Sequence, residues 1–137
     1  MTAARAIIVD DEAPARQRLS RMLQESLAGR VELVGEAPDG ESALALMGEH
    51  SPDLAFIDVQ MPGLNGVEAA RSIGRRAEIV FVTAYEQYAV QAFAQGALDY
   101  LVKPFEAERL ADTVQRLKSR LQQPRDPAES PLESVLD

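Results

Sequence analysis

The chain contains no cysteine, one histidine and two lysines, and its 14 Lys and Arg residues are outnumbered by 22 Asp and Glu. Each shortage excludes something. Without cysteine there is no disulfide framework and no thiolate metal site. The lone histidine, His50, ends a helical stretch and reads as a surface residue, which argues against zinc or copper. A net charge of -8 with no basic tract argues against nucleic-acid binding by this chain, because phosphate-backbone affinity needs clustered Lys and Arg. No apolar run approaches the ~18 residues that span a bilayer. The opening segment MTAARAIIVDDE meets acidic residues too early for a signal peptide, so the expectation is a cytoplasmic protein with no membrane association.

What is present suits one soluble domain. The 137 residues are 46% hydrophobic and 26% charged. Five short apolar runs, Ala6–Val9, Val31–Val34, Leu54–Ile57, Ile79–Val82 and Leu98–Val102, are of strand length and mostly lack alternation, which predicts strands covered on both faces. Between them lie stripes of helical spacing: Leu19, Met22, Leu23 and Leu27; Ala43, Leu44 and Met47 behind Asp39 as N-cap; Val67, Ala70 and Ile73 behind Asn65-Gly66; Ala89, Ala92 and Phe93; and Leu110, Val114, Leu117 and Leu121. Five strand–helix alternations predict an α/β fold, a doubly wound five-stranded parallel sheet with five helices. The periodicity does not give the strand order. Residues 122–137, QQPRDPAESPLESVLD, hold three of the eight prolines and four acids against one Arg, and read as a disordered acidic linker or tail after a domain over residues 1–121.

In open parallel sheets the functional crevice lies at the carboxyl ends of the strands. The residues there are Asp10, Asp11 and Glu12; Asp58; Thr83 and Ala84; and Lys103 and Pro104. Singly, each has a bland reading: helix-start acids, a turn aspartate, a strand-ending threonine, a solvated lysine. Jointly they describe a site. Carboxylates converging in one crevice repel one another unless a cation neutralises them, and oxygen-only ligands suit Mg²⁺. With an adjacent lysine and hydroxyl, this is equipment for holding a phosphoryl group while a positioned carboxylate attacks in line. Asp58, alone at a strand tip before a Gly-containing loop, is the candidate nucleophile.

The succession VDDE, FIDVQMPGLNG, VFVTAY and DYLVKPF resembles the receiver domain of bacterial two-component response regulators, over residues 5 to about 121 and in that family's order and spacing. The run TAYEQYAVQAFAQGALDYLVKPF further resembles receivers of LytTR-type response regulators, whose outputs are usually DNA-binding domains. The resemblance implies a flavodoxin-like sheet of order 2-1-3-4-5 and a switch that accepts a phosphoryl group from a sensor histidine kinase. It implies that Asp58 is the phospho-acceptor and that Asp10 and Asp11 position Mg²⁺, Asp11 being favoured as the direct ligand. The backbone carbonyl of Gln60 would complete the coordination. Thr83 would hydrogen-bond the phosphoryl oxygen, Lys103 would pair with it across a cis bond to Pro104, and Tyr100 would be the switch aromatic. Gln60 and Tyr85, flanking the phosphate position, are candidates for setting its lifetime. A homodimer through the fourth-helix, fifth-strand and fifth-helix face would follow phosphorylation, with transcriptional output through a DNA-binding domain absent from this chain.

Two rival readings differ at particular residues. A Mg²⁺-dependent phosphohydrolase with an aspartyl-phosphate usually places a second acid two residues after the nucleophile, where this chain has Gln60, and carries a cap domain. A receiver-like module that never takes phosphate requires loss of a site residue, and none is missing. The expectation is therefore not an enzyme but a signalling switch, either ending in its linker or acting alone by docking.

Overall fold

In a computed structural model, residues 3–59, 66–74, 76–84 and 96–122 are described. Strands β1 (Ala4–Val9), β2 (Val31–Ala37), β3 (Leu54–Asp58), β4 (Glu78–Thr83) and β5 (Asp99–Val102) form one parallel sheet of order β2-β1-β3-β4-β5. Helices α1 (Ala13–Ser26), α2 (Gly40–His50), α3 (Gly66–Ile73) and α4 (Ala107–Gln122) connect or follow the strands. The helical stretch expected around Ala89, Ala92 and Phe93 lies outside the described residues. The last helix continues to Gln122, one residue past the expected domain boundary, and 123–137 are outside the description.

The apolar runs became strands because each presents apolar side chains to both faces. On one face, Ala6, Ile8, Leu54, Phe56, Val80, Val82 and Leu101 pack with Leu19, Leu23 and Leu27 of the α1 segment and Leu110, Val114 and Leu117 of α4. On the other, Ile7, Val9, Ala55, Ile57, Ile79 and Phe81 pack with Ala43 and Met47 of α2 and Ala70 and Ile73 of α3. Neighbouring strand residues point to opposite faces, so an uninterrupted apolar run is what two covered faces require. The expected N-cap also forms: the Asp39 carboxylate accepts from the Ser42 N–H at 2.8 Å, and this bond holds its pKa below the usual value. Among the described residues no helix is long and apolar enough to cross a membrane.

The strand order reverses between β1 and β3, whose carboxyl ends lie side by side, with Val9 level with Ile57. At such a switch point the connections leave toward opposite faces and open a crevice.

Candidate functional site

The crevice collects the four strand ends. Asp10 follows β1, Asp58 closes β3, Thr83 closes β4 and Lys103 follows β5. Asp10, Asp58 and Thr83 are buried, at 5%, 7% and 1% exposure, whereas Asp11 is exposed. Carboxylate oxygens of Asp10, Asp11 and Asp58 lie within 4.8 Å of one another. Lys103 Nζ donates to Asp10 Oδ2 at 2.8 Å and to Asp58 Oδ2 at 3.4 Å, although Asp10 is 93 residues distant in the chain. Burial would push the lysine pKa down, but the hydrogen bond to Asp10 and the charges of Asp58 and Asp10 outweigh it and hold it above its ordinary value.

The main chain frames these groups. The Asp10 N–H bonds to the Ala37 carbonyl at the end of β2, and Asp10 Oδ1 accepts from the Glu12 N–H at 2.9 Å. Lys103 N–H donates to the Thr83 carbonyl at 2.7 Å, tying the end of β5 to β4, and the Lys103–Pro104 peptide is cis. Alternation along β4 sets Thr83 on the face of Phe81, the face against which Tyr100 packs, half-buried. The donor set fits a hard divalent cation. Three carboxylates against one ammonium leave a deficit of two charges, and the ligand atoms are all oxygen. Gln60 and Tyr85 lie outside the described residues.

Two features escaped the sequence reading. The first is Gly66, at the start of α3. A Cβ built there would stand 2.1 Å from the Asp58 carbonyl oxygen and 2.8 Å from Val59 Cα. The helix start is seated directly on the backbone of Asp58 and Val59. The turn dipeptide Asn65-Gly66 flagged a glycine, but not its neighbour.

The second is Asp99, wholly buried beside Tyr100. Its carboxylate takes a two-pronged hydrogen bond from Arg109, at 2.8 Å on each oxygen, with further bonds from Thr113 Oγ1, Arg116 and the Tyr100 N–H. Arg109 also donates to the Tyr100 carbonyl at 2.8 Å. On this edge strand, paired with β4 alone, both the N–H and the carbonyl of Tyr100 are therefore taken by side chains, Asp99 and Arg109. Burial alone would raise the Asp99 pKa, but the bonds from Arg109, Thr113 and Tyr100 together bring it below the ordinary 3.8. A carboxylate with a depressed folded pKa stabilises the fold above its unfolded pKa and loses that contribution as pH falls through the folded one. Asp99→Asn, which keeps the shape and loses the charge, is expected to cost about 2 kcal/mol near neutrality. In denaturant melts, the gap between wild type and variant should close as pH drops below about 4.

Comparison with known proteins agrees with this geometry. The family model described as response regulator receiver domain matches residues 6–115. A response regulatory protein of Vibrio cholerae is 46% identical over 114 residues, covering 82% of this chain and 47% of that protein. A sensory transduction protein LytT of Bacillus anthracis is 40% identical over 121 residues, covering 86% and 48%. The chain spans about half the length of the curated relatives it matches. Among solved structures, the response regulatory domain of protein mrkE from Klebsiella pneumoniae aligns with TM-score 0.77 and 35% identity, covering 87% of this chain and 99% of that one. The response regulator TrrA of Thermotoga maritima, in complex with Mg²⁺ and BeF, aligns with TM-score 0.73 and 34% identity, covering 85% and 99%. With strand order, acidic crevice and sequence in agreement, the chain belongs to the receiver domains of two-component response regulators.

Proposed function

We propose that this receiver is a phosphorylation-driven switch in which Asp58 takes a phosphoryl group from a sensor histidine kinase, with Mg²⁺ held by Asp10, Asp11 and Asp58 and completed by the Gln60 carbonyl. The observation that carries this reading is the ammonium of Lys103 placed between the Asp10 and Asp58 carboxylates in the crevice. The likeness to a response regulator solved with Mg²⁺ and BeF supports it.

The Asp58 carboxylate oxygen attacks phosphorus, forming an O–P bond while the bond to the donor's leaving group breaks. Bound Mg²⁺ supplies charge neutralisation for the phosphoryl oxygens. Lys103 is already inside the crevice and can pass from carboxylate to phosphoryl without crossing solvent, and Thr83 offers a hydroxyl from the adjoining strand end. The acyl phosphate adds about -1.5 to -2 charge and three acceptor oxygens. Drawing Thr83 toward them vacates room on the face that Tyr100 shares, and Tyr100 swings inward. Reversing a 99:1 equilibrium takes ~5.5 kcal/mol, which two or three charge-assisted bonds of ~1.5–3 kcal/mol can supply. Gln60 and Tyr85 set the lifetime of the phosphoryl group.

In the whole protein, the receiver acts in the cytoplasm, dimerises when phosphorylated and controls transcription through a separate DNA-binding domain of LytTR type. The segment 122–137 serves as the tether, and the chain is not an enzyme with a substrate of its own. The relatives named LytT support this output. The test is incubation with a small phosphodonor and Mg²⁺ followed by intact mass measurement. One phosphoryl group should be gained, and chelation should prevent it; an unchanged mass in Mg²⁺ would remove the proposal.

A further inference from the structure

We infer that Arg16 is a positioning residue for the Asp10–Asp11 carboxylate pair, setting the affinity of the crevice for its divalent cation. The inference rests on the reading of the acidic cluster as a Mg²⁺ site. Arg16 lies in the first turn of α1, and its Nη1 donates to the Asp10 carbonyl oxygen at 2.7 Å. Its Nε faces Glu36 of β2 at 3.5 Å, with the arginine side chain 20% exposed. One guanidinium therefore bridges the ends of β1 and β2, beneath the acidic turn.

The bonded carbonyl belongs to the peptide joining Asp10 to Asp11. Holding its oxygen fixes the plane of that peptide, and the plane sets where the exposed Asp11 begins. Asp10 is itself bound at each polar group: N–H to Ala37, carbonyl to Arg16, Oδ1 to Glu12 and Oδ2 to Lys103. Of these, only the bond from Arg16 orients the peptide shared with Asp11. The planar fork of arginine reaches the Asp10 carbonyl while its Nε faces the Glu36 carboxylate, an arrangement that a lysine ammonium on a flexible stem reproduces less well.

A rival account makes Arg16 a nearby charge, and it predicts the opposite sign. A cation beside a cation site repels its ligand, so removing a mere charge would tighten Mg²⁺ binding. Removing a positioning residue loosens it, as loss of outer partners of metal ligands commonly does by about 10–100-fold. For the full chain, calorimetric titration of Mg²⁺ should show Arg16→Met binding about tenfold more weakly than wild type. Arg16→Lys, which keeps the charge, should show a smaller loss in the same direction. Phosphoryl uptake at saturating Mg²⁺ should be retained, with only the Mg²⁺ needed for half-maximal rate increased. Should Arg16→Met fail to fold by circular dichroism, Arg16→Lys decides: weaker binding supports positioning, and wild-type affinity overturns it. Affinity of a folded Arg16→Met equal to or tighter than wild type also overturns it. No Mg²⁺ binding by the wild type would remove the metal-site reading, and this inference with it.

Discussion

Asp58→Asn is expected to abolish phosphoryl uptake while leaving the apo fold as stable as wild type, or more stable by up to about 1 kcal/mol. The two effects have separate causes. An amide has no anionic oxygen to attack phosphorus, so uptake measured by intact mass falls to zero. Stability follows the charges. Asp58 is attracted by Lys103 at 3.4 Å but repelled by two carboxylates within 4.8 Å, and it is nearly buried. Loss of one attraction, two repulsions and a desolvated charge nearly cancels, with the balance tipped toward relief. The same substitution should reduce the stabilisation that Mg²⁺ confers in thermal melts. Lys103→Met should do the reverse. It leaves Asp10 and Asp58 buried without their ammonium, and is expected to cost about 3 kcal/mol without metal, much of it recovered by Mg²⁺. A destabilised apo Asp58→Asn beside an unaffected Lys103→Met would contradict this account of the crevice.

Gly66→Ala should be the most damaging of the alanine substitutions at Gly29, Gly35, Gly48, Gly66 and Gly74. The added carbon would lie 2.1 Å from the Asp58 carbonyl oxygen and 2.8 Å from both the Asp58 carbonyl carbon and Val59 Cα. These are backbone atoms at the end of the strand that carries Asp58, so no side chain can turn aside. Either α3 lifts from the sheet, losing the Gly66 N–H to Val59 carbonyl bond of 3.1 Å, or Asp58 shifts. Overpacking of this kind costs typically 1–3 kcal/mol, and clashes with backbone sit at or above the upper limit. A displacement near 1 Å at a reacting carboxylate can lower its rate by about 100-fold. The control is the same change at Gly48, exposed within α2, where a Cβ meets nothing within 4 Å. There the better helix propensity of alanine should stabilise by about 0.5–1 kcal/mol. Denaturant melts and phosphoryl-uptake rates for the two variants should move apart; a Gly66→Ala protein matching wild type in both would refute the close seating of α3.

How much of this was legible in the residues depends on the range of the interaction. The central strands β1, β3 and β4 were, because burial on both faces imposes an apolar residue at nearly every position, and the edge strands β2 and β5 were through shorter apolar runs. The Asp39 cap was, because capping acts within three residues. Strand order was not, since a parallel crossover leaves no periodic trace, and only the family resemblance supplied it. The network of Arg109, Thr113 and Arg116 around the buried Asp99 was not. Those residues are ordinary charged and polar positions until β5 and α4 are packed together.

By itself, then, the sequence determined the alternation of strands and helices, the two apolar faces of the sheet, and the inventory of acids, hydroxyl and lysine at strand ends. Each follows from local patterning, the period of a strand or a helix. Tertiary structure alone decided that Lys103 bridges Asp10 and Asp58, that α3 rests on the Asp58 backbone through Gly66, and that Arg16 donates to the carbonyl of the peptide between Asp10 and Asp11. These contacts join segments brought together by the strand crossovers or by a turn geometry that residue spacing does not encode. Their energies depend on distances of a few ångströms, which only the assembled sheet sets.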